Sequence, residues 1–488
     1  MTLLTKSKYL SGLQCPKLLW ILFNEKDKIP QNDRITEYRF SQGKIVGELA
    51  KKAYPDGIDI PANDFIQNIR LTETLLKDNR PLFEAGIMAG DIYSRIDVLR
   101  PNGDRTFDII EIKSSTQVKP ENIEDVSFQK HCCERARLKI NRCYLMFLNN
   151  KYVRQEELEI SELFSIEDIT ADVINSSEGI QERIHGMFQT VNSEDCPDVS
   201  SRNVCNNPYE CSLIDECWEF LPEDNVFTLY GKGKTSAKLF DMGILHIKDI
   251  PEEFELNHRQ EIQRKCGLTG NIHIQKEEIR QFLNGLKYPL YYLDFETFAP
   301  AVPKFTDSRP YQRIPFQFSL HVARTDDLIE HTSFLADGTD DPRPAFLEHL
   351  ENALGTYGTI VVYNEVFEKG VLGELARDFP EYEGWVNEIL PRVIDLLKPF
   401  REFHYYNPEQ NGSASIKYVL PAITNVGYDG MKIDNGMDAS ISFEDITFGN
   451  VSPEEKARVR KELEEYCKMD TFAEVRIVEE LRKCVCEI

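Results

Sequence analysis

The sequence predicts an α/β protein of two domains joined by a small helical bridge. Three observations carry that expectation. Two β-rich runs, residues 91–100 and 105–113, flank Asn102-Gly103, which is a hairpin signal. From about Lys287 onward, short apolar strand candidates alternate with helix candidates. From Ser452 to the end, apolar residues recur at steps of three and four, the spacing of one buried helix face. Changes of texture near Pro222 and Pro289 divide the chain into residues 1–221, a mostly helical stretch 222–286, and residues 287–488.

Composition narrows the class. With 41% hydrophobic and 28% charged residues the chain reads as an ordinary soluble protein. No apolar run approaches the ~18 residues of a membrane span, and Met-Thr-Leu-Leu-Thr-Lys-Ser-Lys-Tyr-Leu at the start lacks a signal-peptide core. Twelve cysteines over 488 residues are too sparse for a disulfide scaffold, so a reducing cytoplasm is expected and cysteine clusters read as metal or cluster ligands. The 57 basic and 82 acidic residues leave a formal charge of -25, which repels phosphate backbones at long range. A nucleic-acid partner would therefore require local basic grooves or bound cations.

In the second β-rich run Glu111 and Lys113 are two apart, so a strand places them on one face, with Ile110 and Ile112 on the other. Two carboxylates from neighbouring strands can hold a divalent cation, and a lysine beside them can stabilise developing charge. Asp97, followed thirteen residues later by Glu111-Ile112-Lys113, resembles the PD-(D/E)XK core of the RecB-like nucleases. The resemblance implies Glu84 as a further acidic ligand ahead of the hairpin and Gln129 as the helix glutamine, with Cys133 standing where a tyrosine is usual. It also implies a first-helix metal ligand after a glycine, where this chain has Gly47-Glu48. A tight turn at Asn102-Gly103 would separate Asp97 from Glu111 by roughly four residues, or about 13 Å along the ladder. The reading thus requires a longer loop, about 101–107, or a kinked strand. A surface hairpin with solvated charges is the alternative.

Cys205, Cys211 and Cys217 lie in a turn-rich segment too polar to form a core, and Cys15 is the candidate fourth ligand. One early cysteine with three after the nuclease core resembles the iron–sulfur nucleases of CRISPR adaptation and bacterial recombination, which implies a [4Fe–4S] cluster. Zn²⁺ on the same thiols is the sharper alternative and unliganded cysteine the blander one; Cys196 is the reserve ligand. His131-Cys132-Cys133 falls in a predicted helix and is assigned no role. In the bridge, Gly231-Lys232-Gly233-Lys234-Thr235 is not a phosphate loop, because Thr228 occupies the position of the first glycine. The run on to Gly243 and Pro251 resembles a helix-hairpin-helix element, with Lys232, Lys234 and Lys238 facing a DNA backbone; a plain helical linker is the alternative.

In the third region Leu290–Glu296 reads as a buried strand that projects Asp294 and Glu296 from one face. Such neighbours repel unless a cation sits between them. The last helix opens with a capping box at Ser452 and Pro at its first position, and Val459, Leu463, Tyr466, Asp470, Ala473, Ile477 and Leu481 share one stripe. Asp470 is its one charged member, which is costly unless it binds a cation or is well hydrogen-bonded. Asp294-Phe295-Glu296, Asn364 through Glu368, and Tyr466 through Asp470 resemble the three motifs of DEDD 3′–5′ exonucleases of the RNase H-like fold, with Glu368 where Asp is usual. The resemblance implies two Mg²⁺ or Mn²⁺ ions, a water-orienting Tyr466 and a further site acid, Asp395. The whole block also resembles a domain of unknown function found behind RecB-like nucleases.

The expected protein is a metal-dependent nuclease hydrolysing DNA at two sites, acting on an end with a single strand, in repair or defence. One rival has only the C-terminal domain active, as a 3′–5′ exonuclease on RNA or short oligonucleotides. The other is a non-catalytic nucleic-acid-binding scaffold.

Overall fold

Alternating apolar positions build two separate sheets, each covered by amphipathic helices. The computed structural model describes residues 2–198, 202–231, 233–325 and 328–486. The chain forms two mixed α/β units: one takes the residues up to Glu219 with Pro300–Gln312, the other takes Phe220–Ala299 and the chain from Arg313 onward.

The first unit contains strands β1 (Leu4–Thr5), β2 (Ile58–Asp59), β3 (Leu82–Ala89), β4 (Ile92–Pro101), β5 (Thr106–Lys113), β6 (Lys139–Leu148) and β7 (Phe164–Asp168). Its helices include α1 (Lys6–Gln14), α2 (Pro16–Asn24), α3 (Arg34–Lys51), α4 (Phe65–Leu75) and α5 (Pro120–Arg135). The strands run in the order β2-β3-β4-β5-β6-β7, with β1 parallel to β4. An antiparallel β3-β4-β5 meander is followed by a parallel crossover through α5 to β6. Strand alternation sends Ile109 to a core shared with Val126 and Phe128 of α5, and Ile110 to a core shared with Val46 and Ala50 of α3.

Two features set the register that matters. The β4–β5 loop is not a two-residue turn: the last pair is Pro101 with Phe107, and Arg105 adopts a φ of 66°. Val98 faces Ile110, so the next step of that register brings Asp97 opposite Glu111, which removes the offset that a tight turn would impose. The strands are also kinked. Phe83 and Val98 join the α3-side core while Ala85 and Ile96 join the other, although residues two apart share a face in a regular strand. The break falls at Glu84, with a φ of 55°, and at Asp97. Irregularities of this kind re-aim side chains beside functional sites.

The second unit has a five-stranded sheet and a small ribbon. Its strands are β8 (His273–Ile274), β9 (Leu290–Phe298), β10 (Ile314–Thr325), β11 (Leu328–Leu335), β12 (Thr359–Val362), β13 (Val393–Asp395) and β14 (Tyr405–Tyr406). The sheet order is β11-β10-β9-β12-β13, antiparallel from β9 to β11 and parallel from β9 to β13. The C-terminal helix Pro453–Cys486 buries the whole anticipated stripe, and Ser452 Oγ accepts from the Glu455 N–H at 3.1 Å.

The helical bridge is not a separate unit. Ile262 and Cys266 of the helix His258–Thr269 pack with Phe403 and Tyr406, and β8 pairs with β14, so residues 222–286 are built into the second unit. The boundary near Pro289 also differs: Pro300–Gln312 belongs to the first unit, where Ala301 enters the core with Val46. Within the bridge, Lys238 lies over the Phe254 ring at 5.1 Å, and Lys232 is outside the described residues. No helix among the described residues is long and apolar enough to cross a membrane.

Candidate active sites

In the first unit, β5 presents Glu111 and Lys113 toward α5 and the start of α1. Glu111 is 1% exposed, and both of its oxygens are engaged. Oε1 accepts from Lys6 and Lys113 at 2.7 Å each, and Oε2 accepts from Gln129 Nε2 at 2.6 Å. Asp125, one turn before Gln129 on α5, receives Lys113 at 2.7 Å and Gln129 at 2.9 Å. Asp97 Oδ2 accepts from the Ile112 N–H at 2.8 Å. Burial works against both ammonium groups, yet Glu111, Asp125 and Asp97 together outweigh it and hold Lys6 above, and Lys113 well above, the ordinary lysine range.

Beside this cluster lies a cleft of about 320 Å³ lined by Glu48, Glu84, Asp97, Glu111, Lys113 and Lys44, among others. Glu84 pairs with Arg95 at 2.8 Å, and the largely exposed Glu48 pairs with Lys51 at 2.8 Å. The cleft thus collects Glu48, Glu84, Asp97, Glu111 and Lys113. Among the described residues, however, no three carboxylates of this unit approach within 4.8 Å of one another. Gln129 lies behind the cleft, fully buried, as the partner that orients Glu111.

The cysteine segment is held against the N-terminal helices. Gln14 donates to the carbonyls of Val204 at 3.0 Å and Tyr209 at 2.7 Å, and Cys15 caps α2 next to it. Burial pushes the Cys211 thiol up, a backbone N–H at Leu213 opposes it, and Cys205, Cys15 and Cys217 push it up further. Burial likewise raises Cys217 against Lys17, with Cys205 and Cys15 adding to it. The four anticipated thiols therefore lie in one neighbourhood, and none is in a disulfide. No three of them fall within 4.8 Å of one another. Cys196 is close enough to Cys217 to feel its charge. Cys132 and Cys133 are core residues.

The second unit gathers carboxylates more tightly. Central strand β9 carries Asp294 and Glu296 on one face, and β10 bulges opposite Glu296 between Pro315 and Gln317. Gln317 Nε2 donates to the Leu463 carbonyl at 2.9 Å, tying β10 to the C-terminal helix that delivers Asp470. One oxygen from each of Asp294, Glu296 and Asp470 lies within 4.8 Å of the others. Glu368 enters from the first turn of the helix Glu365–Asp378, beyond β12, and Asp395 ends β13. Asp395 Oδ1 accepts from the backbone N–H groups of Asn364 at 3.0 Å and Leu397 at 2.9 Å. Glu368 Oε2 and Asp395 Oδ2 are buried without a hydrogen-bond partner.

Burial raises Asp294, Glu296, Glu368 and Asp470, and neighbouring carboxylates add to it for the first three. Asp294 and Glu296 are pushed well above the carboxylate range, Glu368 to about 9 and Asp470 to about 6. Asp470 is moderated by hydrogen bonds from Tyr428 (2.5 Å) and Tyr466 and by the charge of Lys417. Lys417 Nζ stands over the Tyr428 and Tyr466 rings at 5.6 and 5.7 Å. Burial and Asp470 hold the Tyr466 phenol far above its usual pKa, so it remains a donor.

Several participants escaped the sequence reading. Glu474, 1% exposed and with an unpartnered Oε2, sits one turn beyond Asp470, and burial followed by Asp294, Glu368 and Asp470 pushes it well above the carboxylate range. The steps 466, 470 and 474 pointed to it, but Ala473 fits the apolar stripe better. Cys467, with Sγ 3.6 Å from Asp294 Oδ2, reads from sequence as an ordinary core residue. Lys6 and Asp125 carried no motif.

Comparisons with known proteins add family context. Residues 291–415 match the family model described as Domain of unknown function (DUF2779), a stretch that contains Asp294, Glu296, Glu368 and Asp395. Over 217 residues the chain is 29% identical to the uncharacterized protein MG366 of Mycoplasma genitalium, covering 40% of this chain and 32% of that protein. The chain thus spans about a third of the length of the curated relative it matches. The crystal structure of an alkaline exonuclease (LHK-Exo) from Laribacter hongkongensis is similar over 38% of this chain and 91% of that chain, at 11% identity and a TM-score of 0.20.

Proposed function

We propose that the protein is a metal-dependent nuclease with two candidate active sites, a RecB-like PD-(D/E)XK site in the first unit and an RNase H-like, DEDD-type site in the second. The observation that carries this reading is the carboxylate pocket of the second unit. Asp294, Glu296, Glu368, Asp395, Asp470 and Glu474 crowd together, with Lys417 near Glu296 and Asp470 and Arg401 Nη2 3.5 Å from Asp395 Oδ2, and Glu368 and Glu474 each have a buried oxygen with no partner. Buried carboxylates without compensation are strongly unfavourable, and divalent cations relieve that cost. Oxygens within 4.8 Å suit Mg²⁺ or Mn²⁺, whose ligands stand at ~2.1 Å from the ion. Bound there, such ions supply charge stabilisation at the scissile phosphate and a more acidic attacking water. Asp294, Glu296 and Asp470 would hold the ions, Glu368 and Asp395 would extend the set, and the protonated Tyr466 would orient the water. The strand order, with three antiparallel strands continued by two parallel ones, supports the RNase H-like reading.

In the first unit, Glu84, Asp97 and Glu111 face one cleft, with Lys113 placed to meet negative charge on a phosphate and Glu48 on its wall. Cys15, Cys205, Cys211 and Cys217 are the ligands we assign to a [4Fe–4S] cluster. The substrate is nucleic acid, DNA with a single-stranded end.

A second reading, in which only the second unit is catalytic on RNA or short oligonucleotides, is favoured by one observation: both oxygens of Glu111 are already engaged. Separate variants decide between the readings, Asp97→Ala with Lys113→Ala and Asp294→Ala with Asp470→Ala, assayed on labelled DNA and RNA with Mg²⁺ or Mn²⁺. Partial loss in each pair is expected. Loss confined to the second pair supports the second reading, and absence of metal-dependent cleavage in the parent rejects the nuclease assignment.

A further inference from the structure

The acidic cluster of the first unit holds two lysines where its motif requires one. Lys6 Nζ is 2.7 Å from Glu111 Oε1 and 3.5 Å from Asp125 Oδ1, and Lys113 donates to the same Glu111 oxygen at 2.7 Å. Two ammonium groups sharing one carboxylate oxygen repel each other, so the arrangement persists only because the surrounding acids hold both. Lys6 also opens α1, where a positive charge opposes the helix dipole.

The backbone brings Lys6 to this place by several independent contacts. Leu4 and Thr5 pair with Ile92 and Tyr93 of β4, and Thr5 caps α1 through the Lys8 N–H at 3.4 Å. Tyr9, one turn on, stacks against Phe128 of α5 at 4.7 Å, and Gln14 anchors the far end to the cysteine segment. The Lys6 side chain keeps about a quarter of its surface exposed.

We propose that Lys6 is a resident cation of this site: its ammonium holds Glu111 and meets a phosphate oxygen of the substrate, doing the work of a second divalent ion, so that the site operates with one. The proposal rests on the nuclease reading of the first unit.

The test uses the full chain carrying Asp294→Asn and Asp470→Asn, which leaves the first site as the source of cleavage. Lys6→Met keeps the side-chain length without the charge, and Lys6→Arg keeps the charge. Turnover of single-stranded DNA is measured across a Mg²⁺ titration. Lys6→Met should lose roughly 10²-fold in turnover at saturating Mg²⁺, the order seen when one charge-stabilising donor is removed. Its Mg²⁺ midpoint should fall by ~3–10-fold, because a repelling charge has left the neighbourhood of the ion. Lys6→Arg should recover most of the turnover. Unchanged turnover in Lys6→Met overturns the proposal. So does a loss with an unmoved or raised midpoint, or an Arg variant that folds and is equally inactive, since those mark a purely structural role. If the background itself shows no cleavage that Asp97→Ala removes, the nuclease reading of the first unit fails and takes this proposal with it.

Discussion

Glu368 shows at the scale of one residue what the carboxylate pocket demands. Its pKa is raised from 4.5 to about 9, by burial first and by Asp294 next. The folded protein therefore keeps this proton between about pH 4.5 and 9, where the unfolded chain has released it. Folded protein binds more protons than unfolded across that window, so metal-free stability falls as pH rises through it. Chemical denaturation in EDTA at pH 6 and pH 8 should show that decline, and Glu368→Gln should raise stability at pH 8 by of the order of 1–3 kcal/mol. A flat profile would contradict the burial argument. Asp294, Glu296 and Asp470 were legible in the sequence because charge on an apolar strand or stripe stands out. Glu474 was not, since its signal competed with Ala473 beside it, and Lys6 was not, since a lysine in an N-terminal helix looks like solvated charge.

Elements carry the next level of the argument. Asn102-Gly103 identified the β4–β5 hairpin, but the loop continues through Asp104, whose Oδ1 accepts the Thr106 N–H at 3.0 Å, and Arg105 in the left-handed region. That extension puts Asp97 opposite Glu111, and a dipeptide signal cannot convey it. Deleting Gly103 should shift the register by one, turn the strand's side chains to the other face and abolish cleavage by the first site while the second persists. The paired-site assay on the deletion variant checks this. The kink at Glu84 and Asp97 was also invisible, because it arises from pairing between strands. The C-terminal helix was the most legible element: its stripe is buried in full. Leu463→Ala, at a fully buried position whose carbonyl accepts from Gln317, should cost about 2–5 kcal/mol and weaken the second site, read by denaturation and by residual cleavage.

For the whole molecule, the proposed reading reconciles a formal charge of -25 with a nucleic-acid substrate, because cations held at the two proposed sites would do what a basic surface otherwise does. The division of the chain was only partly legible, because Pro300–Gln312 returns to the first unit through Ala301, a small residue with no signal of its own. Anaerobically purified protein should be brown with absorbance near about 400 nm, and Cys205→Ser should lose that colour and lower the melting temperature. A colourless protein carrying zinc would overturn the cluster assignment. The most direct test of the central claim is calorimetric titration of metal-free protein with Mn²⁺ at neutral pH, in buffers of different ionisation enthalpy. Saturable binding with net proton release, lost in Asp294→Asn with Asp470→Asn, is the expected result, since acids held protonated by burial must ionise to become ligands. Binding of equal strength and stoichiometry in that double variant, or none in the parent, would contradict it.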